Sequence, residues 1–315
     1  MNVLKPKRLR KGDVIGIVAP ASPVFPEDQL ERAATYIESL GYRIKFGKAV
    51  RKVYGYLAGT DRERATDLNS MFADKQVSAI FCLRGGYGSP RLLALIDYDT
   101  VARNPKIFVG FSDITALSCA LLAKCRLLTF SGPMLASDMT HPDAFTQEQF
   151  WRLITSATVV GELPNHDSHD AMPLQAGIKT GRLIAANLSL LTVLFGTPYL
   201  PDLRKNILVV EDVGEEPYRV DRMLSQVEHS GVLRALNGFV VGQFTDCEPE
   251  DDKPSLSMEQ VIADYVKKLP KPVPAFANFS FGHVKSKLTL PFGAKAKLSV
   301  TRRQCKLEII ERVVT

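Results

Sequence analysis

Ser112 stands where an apolar run gives way to a helical one, in Lys106-Ile-Phe-Val-Gly110-Phe111-Ser112-Asp113-Ile114-Thr115. A serine on an abrupt strand-to-helix turn has its hydroxyl lifted to the top of a sheet, beside the first N–H groups of the helix and the positive end of its dipole. Such a hydroxyl can act as a nucleophile. Gly110 permits close approach of strand and helix, but position 114 is isoleucine, so the full G-x-S-x-G elbow is absent. The plainer alternative is that Ser112 only caps the helix. Thr115 stands where a capping box carries Glu or Gln and offers no reciprocal cap, which weakens that alternative.

Arg84-Gly85-Gly86-Tyr87-Gly88 follows another apolar run, so its glycine N–H groups can face a ligand at a sheet edge. The dinucleotide fingerprint fails at its third glycine, where Arg91 stands, and no Lys-Ser/Thr pair completes a phosphate loop. Oxyanion donation is one use of such N–H groups, and a tight turn is the other reading. Glu211-Asp212 ends the apolar run Asn206–Val210; either carboxylate could orient a histidine or serve the next helix, and spacing does not choose between them. Five histidines can be inspected singly. His166 and His169 form H-x-x-H beside Asp167 and Asp170, but no third ligand sits on a rigid element for a metal. His141 lies in a Thr-His-Pro turn and His229 ends a helix, where a cation suits the dipole. His283, in Phe281-Gly282-His283, sits at a strand-to-loop transition and suits a base or a buried structural histidine equally. The acidic cluster Glu248, Glu250, Asp251 and Asp252 reads as a solvated loop. Tyr218-Arg219-x-Asp221-Arg222 reads as surface pairing on a helix.

The elements that must hold these groups alternate in the first half. Strands are expected at Val14–Ala19, Arg43–Phe46, Val77–Leu83, Ile107–Gly110 and Leu127–Phe130. Helices are expected over 27–40, from the Thr60-x-x-Glu63 capping box to Phe72, from Pro90 to Ile96, and over 114–123. This alternation implies right-handed crossovers and a mainly parallel sheet, with its working site at the carboxyl ends of the strands. Periodicity is lost over 161–177, the expected linker. Beyond it come a helix near 187–195, a strand Ile207–Glu211, a helix after Pro217, a strand Phe239–Gly242 and short alternating stretches from Lys287 that read as antiparallel strands. At about 150 residues per domain, 315 residues suggest two: 1–160, then 178–315 after the linker. The fold class is α/β, a Rossmann-like first domain with a β-rich α+β second one.

Composition narrows the function. Lys+Arg 40 against Asp+Glu 34 leaves +6, scattered with no long cluster, which argues against a nucleic-acid surface. No apolar run approaches the ~18 residues of a spanning helix, and no secretory h-region follows the basic N-terminus. Five cysteines without a C-x-x-C pair suit a reducing compartment. A cytoplasmic protein without membrane contact is expected.

Together these stretches resemble the LD-carboxypeptidase family of serine peptidases. The resemblance runs through Gly12-Asp-Val-Ile-Gly-Ile-Val-Ala-Pro-Ala-Ser22, Arg84–Gly88, Gly110–Thr115, Gly196-Thr-Pro-Tyr199, Val210–Leu224, Phe281-Gly282-His283 and Leu288–Gly293, in order along nearly the whole chain. It implies Ser112 as nucleophile, His283 as general base and Glu211 as the carboxylate orienting the imidazole. It also implies an oxyanion hole from the N–H groups of Gly86 and Asp113, with Gly85 and Tyr87 against the substrate. The expected substrate is a murein tetrapeptide losing its terminal D-alanine during peptidoglycan recycling, with no cofactor, no metal, and a homodimeric enzyme. A free substrate carboxylate calls for a cationic side chain or helix N-terminus in the pocket. Two departures are Ala185-Ala186-Asn187 for the usual Gly-Gly-Asn, and Phe111 for the usual tyrosine. Rival readings are a microcin C immunity hydrolase of the same family, which should carry a nucleoside-stacking loop with tryptophan, and a non-catalytic nucleotide- or peptide-binding protein. The single tryptophan, Trp151, precedes the linker.

Overall fold

The computed structural model describes residues 2–26, 28–140, 143–249 and 254–315. Among them the strands are β1 (Val14–Val18), β2 (Arg43–Phe46), β3 (Val77–Cys82), β4 (Ile107–Gly110), β5 (Thr129–Ser131), β6 (Val159–Glu162), β7 (Met172–Gln175), β8 (Gly177–Asn187), β9 (Ile207–Val213), β10 (Gly238–Thr245), β11 (Ala275–Ala277), β12 (Leu290–Phe292), β13 (Lys295–Val300) and β14 (Cys305–Arg312). They form two sheets.

The first sheet has the order β12-β5-β4-β3-β1-β2. Its five sequence-early strands are all parallel. β1 and β4 are buried at every position, as continuous apolar strands covered on both faces must be. The expected helices occupy the crossovers: Asp28–Ser39, Asp61–Ala73 with its Thr60/Glu63 capping box, and Thr115–Cys125. Pro90 opens a tighter 3-10 turn, Ser89–Leu95. The chain leaves β1 for one side and returns to the other through β3, so the crevice at their carboxyl ends is a topological switch point. At the far edge β12 pairs antiparallel with β5, Pro291 opposite Phe130. The alternating stretch at Leu288 and Leu290, expected with the tail strands, thus joins the first sheet.

The second sheet has the order β6-β14-β13-β8-β9-β10-β11-β7. β13 and β14 form the expected antiparallel hairpin. The long β8 pairs antiparallel with β13 through its first half and parallel with β9 through its second. β9, β10 and β11 continue in parallel, so the sheet is mixed. The 161–177 segment, expected to be irregular, contains β7 and the end of β6, the two outer strands. Its polar residues fit there because edge strands meet water. Two helices that periodicity left unread, Ala144–Thr155 and Met258–Val266, also cover the sheets. One apolar core runs through both halves. Among the described residues no helix is long and apolar enough to cross a membrane.

Candidate functional site

At the carboxyl ends of β3 and β4 lies a cavity of about 430 Å³, walled by Gly85, Gly86, Phe111, Ser112 and His283, with Asp138, Thr146 and Lys287 farther round. Two sheets therefore contribute to one opening.

Ser112 has φ +60°, a left-handed conformation that costs a non-glycine residue about 1–3 kcal/mol. The chain turns from β4 through a 3-10 turn, Ser112–Ile114, directly into Thr115–Cys125. No side-chain cap starts either element at Ser112, so the capping alternative has no hydrogen bond behind it. Glycines make the turn possible. A Cβ on Gly110 would lie 2.7 Å from Ile114 Cβ, and one on Gly85 would lie 3.0 Å from Ser112 Cβ and 3.3 Å from its Oγ. The Gly85 backbone thus passes against the serine.

Asp113 is fully buried, and its carboxylate points away from the cavity, accepting Gly88 N–H at 3.2 Å and Ser89 N–H at 2.8 Å. Burial pushes that carboxyl up. Asp113 thereby braces the glycine turn. Its own N–H and that of Gly86 donate to no protein acceptor among the described residues. Tyr87 lies outside the cavity wall. Its N–H donates to Ser22 Oγ at 3.1 Å and its half-exposed ring meets Tyr56 edge-on at 5.4 Å.

The strand geometry of β9 decides between the two adjacent acids. Successive side chains of a strand face opposite sides. Glu211 turns to His283, whose Nδ1 lies 2.7 Å from Oε2. Asp212 turns to the start of the Leu188–Thr192 helix, accepting Ser189 N–H at 2.8 Å and Asn187 Nδ2 at 2.9 Å. Glu211 is fully buried and its carboxyl is pushed up by burial, an effect that the His283 bond opposes. A carboxylate on Nδ1 fixes the tautomer whose Nε2 carries a lone pair. The imidazole packs on Phe111, ring centroids 4.8 Å apart, and Phe111 packs edge-on against Phe281 at 5.4 Å. Phe111 therefore joins the serine turn to the histidine loop.

Thr115 supplies a second connection. Its hydroxyl accepts Asn187 N–H at 3.1 Å, while Asn187 stands opposite Glu211 in the β8–β9 register. The serine's helix is thus tied to the strand pair that carries the carboxylates. Position 115 drew notice only as a missing cap partner, since nothing local announces a partner 72 residues away. The wall residues Asp138, Asp143 and Thr146 also escaped notice, although Asp143 followed by Phe145, Phe150, Leu153 and Ile154 carries a cap and a helical period.

The other candidates have ordinary partners. His166 Nδ1 lies 2.7 Å from Ser168 Oγ and His169 Nδ1 lies 3.1 Å from Ser280 Oγ. Among the described residues no three His, Cys, Asp or Glu side chains are grouped to hold a metal ion. Asp221 accepts the Tyr265 hydroxyl at 2.5 Å, and Arg219 lies near Glu215 and Glu216. His229 ends the Pro217–His229 helix. His141 and Glu250, Asp251 and Asp252 of the acidic cluster lie outside the described residues.

The LD-carboxypeptidase N-terminal domain matches residues 15–132, and the LD-carboxypeptidase C-terminal domain matches residues 180–298. The chain belongs to the LD-carboxypeptidase family. Within that family it is 41% identical, over 96% of its length and 94% of the relative's, to the "Probable murein peptide carboxypeptidase" of Bacillus subtilis. A solved muramoyltetrapeptide carboxypeptidase from Oxalobacter formigenes superposes with a TM-score of 0.83 at 33% identity, over 96% of this chain and all of the other. The microcin C7 self-immunity protein MccF of Escherichia coli is 27% identical over 95% of this chain and 94% of its own. A structure of MccF gives a TM-score of 0.89 at 25% identity, covering 99% and 100%. Both activities therefore share the architecture of this LD-carboxypeptidase family member, and local residues must separate them.

Proposed function

We propose that this chain is a serine LD-carboxypeptidase that releases the terminal D-alanine from murein tetrapeptides during peptidoglycan recycling, in the cytoplasm and as a homodimer. The observation that carries this reading is the convergence of Ser112, on its strained turn, with the His283–Glu211 pair at one cavity. An isolated serine hydroxyl is a weak nucleophile, and an imidazole held by a buried carboxylate is what activates it.

In this mechanism Ser112 Oγ attacks the carbonyl carbon of the bond between an L-centre and the terminal D-residue, and His283 Nε2 takes the hydroxyl proton. The imidazolium is stabilised by Glu211 through Nδ1–H. The tetrahedral oxyanion accepts the N–H groups of Gly86 and Asp113. As it collapses, the carbon–nitrogen bond breaks and His283 returns its proton to the leaving amine. Water, deprotonated by His283, then attacks the acyl-serine and frees Ser112.

The microcin-immunity reading shares this machinery and requires a stacking surface for a nucleoside. Trp151 is not on the cavity wall; it stacks on Tyr42 at 5.3 Å and donates to the Tyr36 hydroxyl at 3.1 Å. That placement and the higher identity to murein peptidases support the murein substrate. The deciding experiment incubates purified protein with LD- and DD-linked tetrapeptides and measures free D-alanine. Release is expected from the LD-linked peptide alone, unaffected by chelator and abolished in S112A with its fold intact. Wild-type turnover by S112A refutes the serine mechanism.

A further inference from the structure

We propose that Arg84 receives the free carboxylate of the residue released and so makes the enzyme an exopeptidase. This inference rests on the function proposed above and names a part of the same cavity that neither the family match nor the triad specifies.

The argument is one of charge and pairing. Five charged residues line the cavity: Arg84, Lys285 and Lys287 against Asp138 and Asp143. Both acids are engaged within the protein. Asp138 accepts the Lys287 ammonium at 2.9 Å on one oxygen and Met134 N–H at 2.7 Å on the other. Asp143 caps the Ala144–Thr155 helix, accepting Thr146 N–H at 3.1 Å. Lys287 is consumed by the same pairing; its ammonium is buried and rests 5.1 Å over the Phe111 ring. Two cations then remain without a carboxylate among the described residues, Arg84 and Lys285. An opening with surplus positive charge favours an anionic ligand.

Of the two, Arg84 has the better chemistry. It is half-buried and lies next to Gly85 and Gly86, on the turn whose backbone passes against Ser112. Among the described residues its guanidinium makes one hydrogen bond, 3.3 Å to the Pro23 carbonyl, out of five N–H donors. That bond steadies the group and leaves a planar fork, which matches a carboxylate with two parallel hydrogen bonds. Lys285 is exposed on a flexible stem and would lose more freedom on binding. Arg84 thus holds the substrate's end at a fixed distance from the serine, so that only the last bond reaches the nucleophile.

The test compares a murein tetrapeptide with the same peptide carrying a C-terminal amide, in wild type, R84Q, R84K and K285Q, with thermal melting as a check on folding. Wild type should favour the free acid strongly. R84Q should lower kcat/KM for the acid about 100-fold, mainly through KM, and leave the amide nearly unchanged, the loss expected for a charge-assisted pair of bonds. R84K should recover part of the loss by keeping the charge without the fork. An R84Q that loses acid and amide equally, or a preference erased by K285Q and kept by R84Q, overturns the assignment of Arg84 alone. A wild-type protein that cleaves neither peptide overturns the proposed function, and this inference with it.

Discussion

Replacing Glu211 by glutamine isolates what its charge contributes, because the amide fills nearly the same volume in a fully buried position. In the proposed mechanism the imidazole becomes cationic as Ser112 attacks, with Glu211 Oε2 2.7 Å from Nδ1. The charge centres of such a pair lie roughly 4 Å apart, and at an effective dielectric of about 20 their attraction is about 4 kcal/mol. At about 1.4 kcal/mol per decade, that is about a thousandfold in kcat. A tautomer effect adds to this. The glutamine NH₂ can donate to Nδ1, and the ring then carries its proton on Nε2, facing the serine it should deprotonate. E211Q should therefore release D-alanine from a murein tetrapeptide about 10³- to 10⁴-fold more slowly, with KM little changed. Its stability should move the other way. Burial pushes the Glu211 carboxyl up, and Oε1 has no hydrogen-bond partner among the described residues. The folded chain consequently keeps that proton to higher pH than the unfolded chain, so this residue lowers wild-type stability as pH rises through the interval, whereas glutamine does not. Melting temperature at neutral pH should hold level or rise. A kcat within tenfold of wild type, or a loss accompanied by a falling melting temperature, refutes the reasoning.

T115V keeps the shape of Thr115 and strands the buried Asn187 N–H, which should cost about 1–3 kcal/mol in urea unfolding. Because the bond ties the serine's helix to β8, kcat should fall as well, and an unchanged unfolding midpoint sinks the claim. G110A forces a Cβ against Ile114 and should cost about 1–3 kcal/mol by overpacking, with recovery in G110A/I114A. Equal stability of G110A and wild type removes the close-approach argument. Lys106 is buried; its ammonium donates to the carbonyls of Met71 and Asp74 at the end of the Asp61–Ala73 helix, and burial pushes it down to about 8. Between about pH 8 and the ordinary 10.5 the folded chain has lost a proton that the unfolded chain keeps, so this residue makes stability rise with pH. The difference in unfolding free energy between wild type and K106M should rise across that window and stay flat below it; a flat difference throughout refutes the burial of the charge.

Much of the first sheet was legible because its strands are short apolar runs between capped helices, and each signal is local. The turn at Ser112 was legible for the same reason: β4 ends and a helix begins within a few residues. The choice between Glu211 and Asp212 was not, because both follow one apolar run and only the facing of β9 separates them. His283 was equally open, since its role depends on Phe111 and Glu211, each more than 70 residues away in the chain. The linker segment failed as an irregular stretch because edge strands tolerate polar residues on both faces, which erases the alternation. β12 gave no sign of its destination. Three residues, Leu-Pro-Phe, pair with the sheet edge their burial favours, and neighbours in sequence do not reveal which edge that is.

The placement of β12 also has a bearing on synthesis. β1 to β5 are complete once residue 131 is made, yet the edge presented by β5 waits for residues 290–292. A polypeptide growing on the ribosome must therefore carry an open, apolar hydrogen-bonding edge through more than half of its translation, an invitation to wrong pairing that chaperones would need to cover. In the proposed mechanism the same delay is a safeguard: a polypeptide that ends before His283 lacks the base that would arm Ser112.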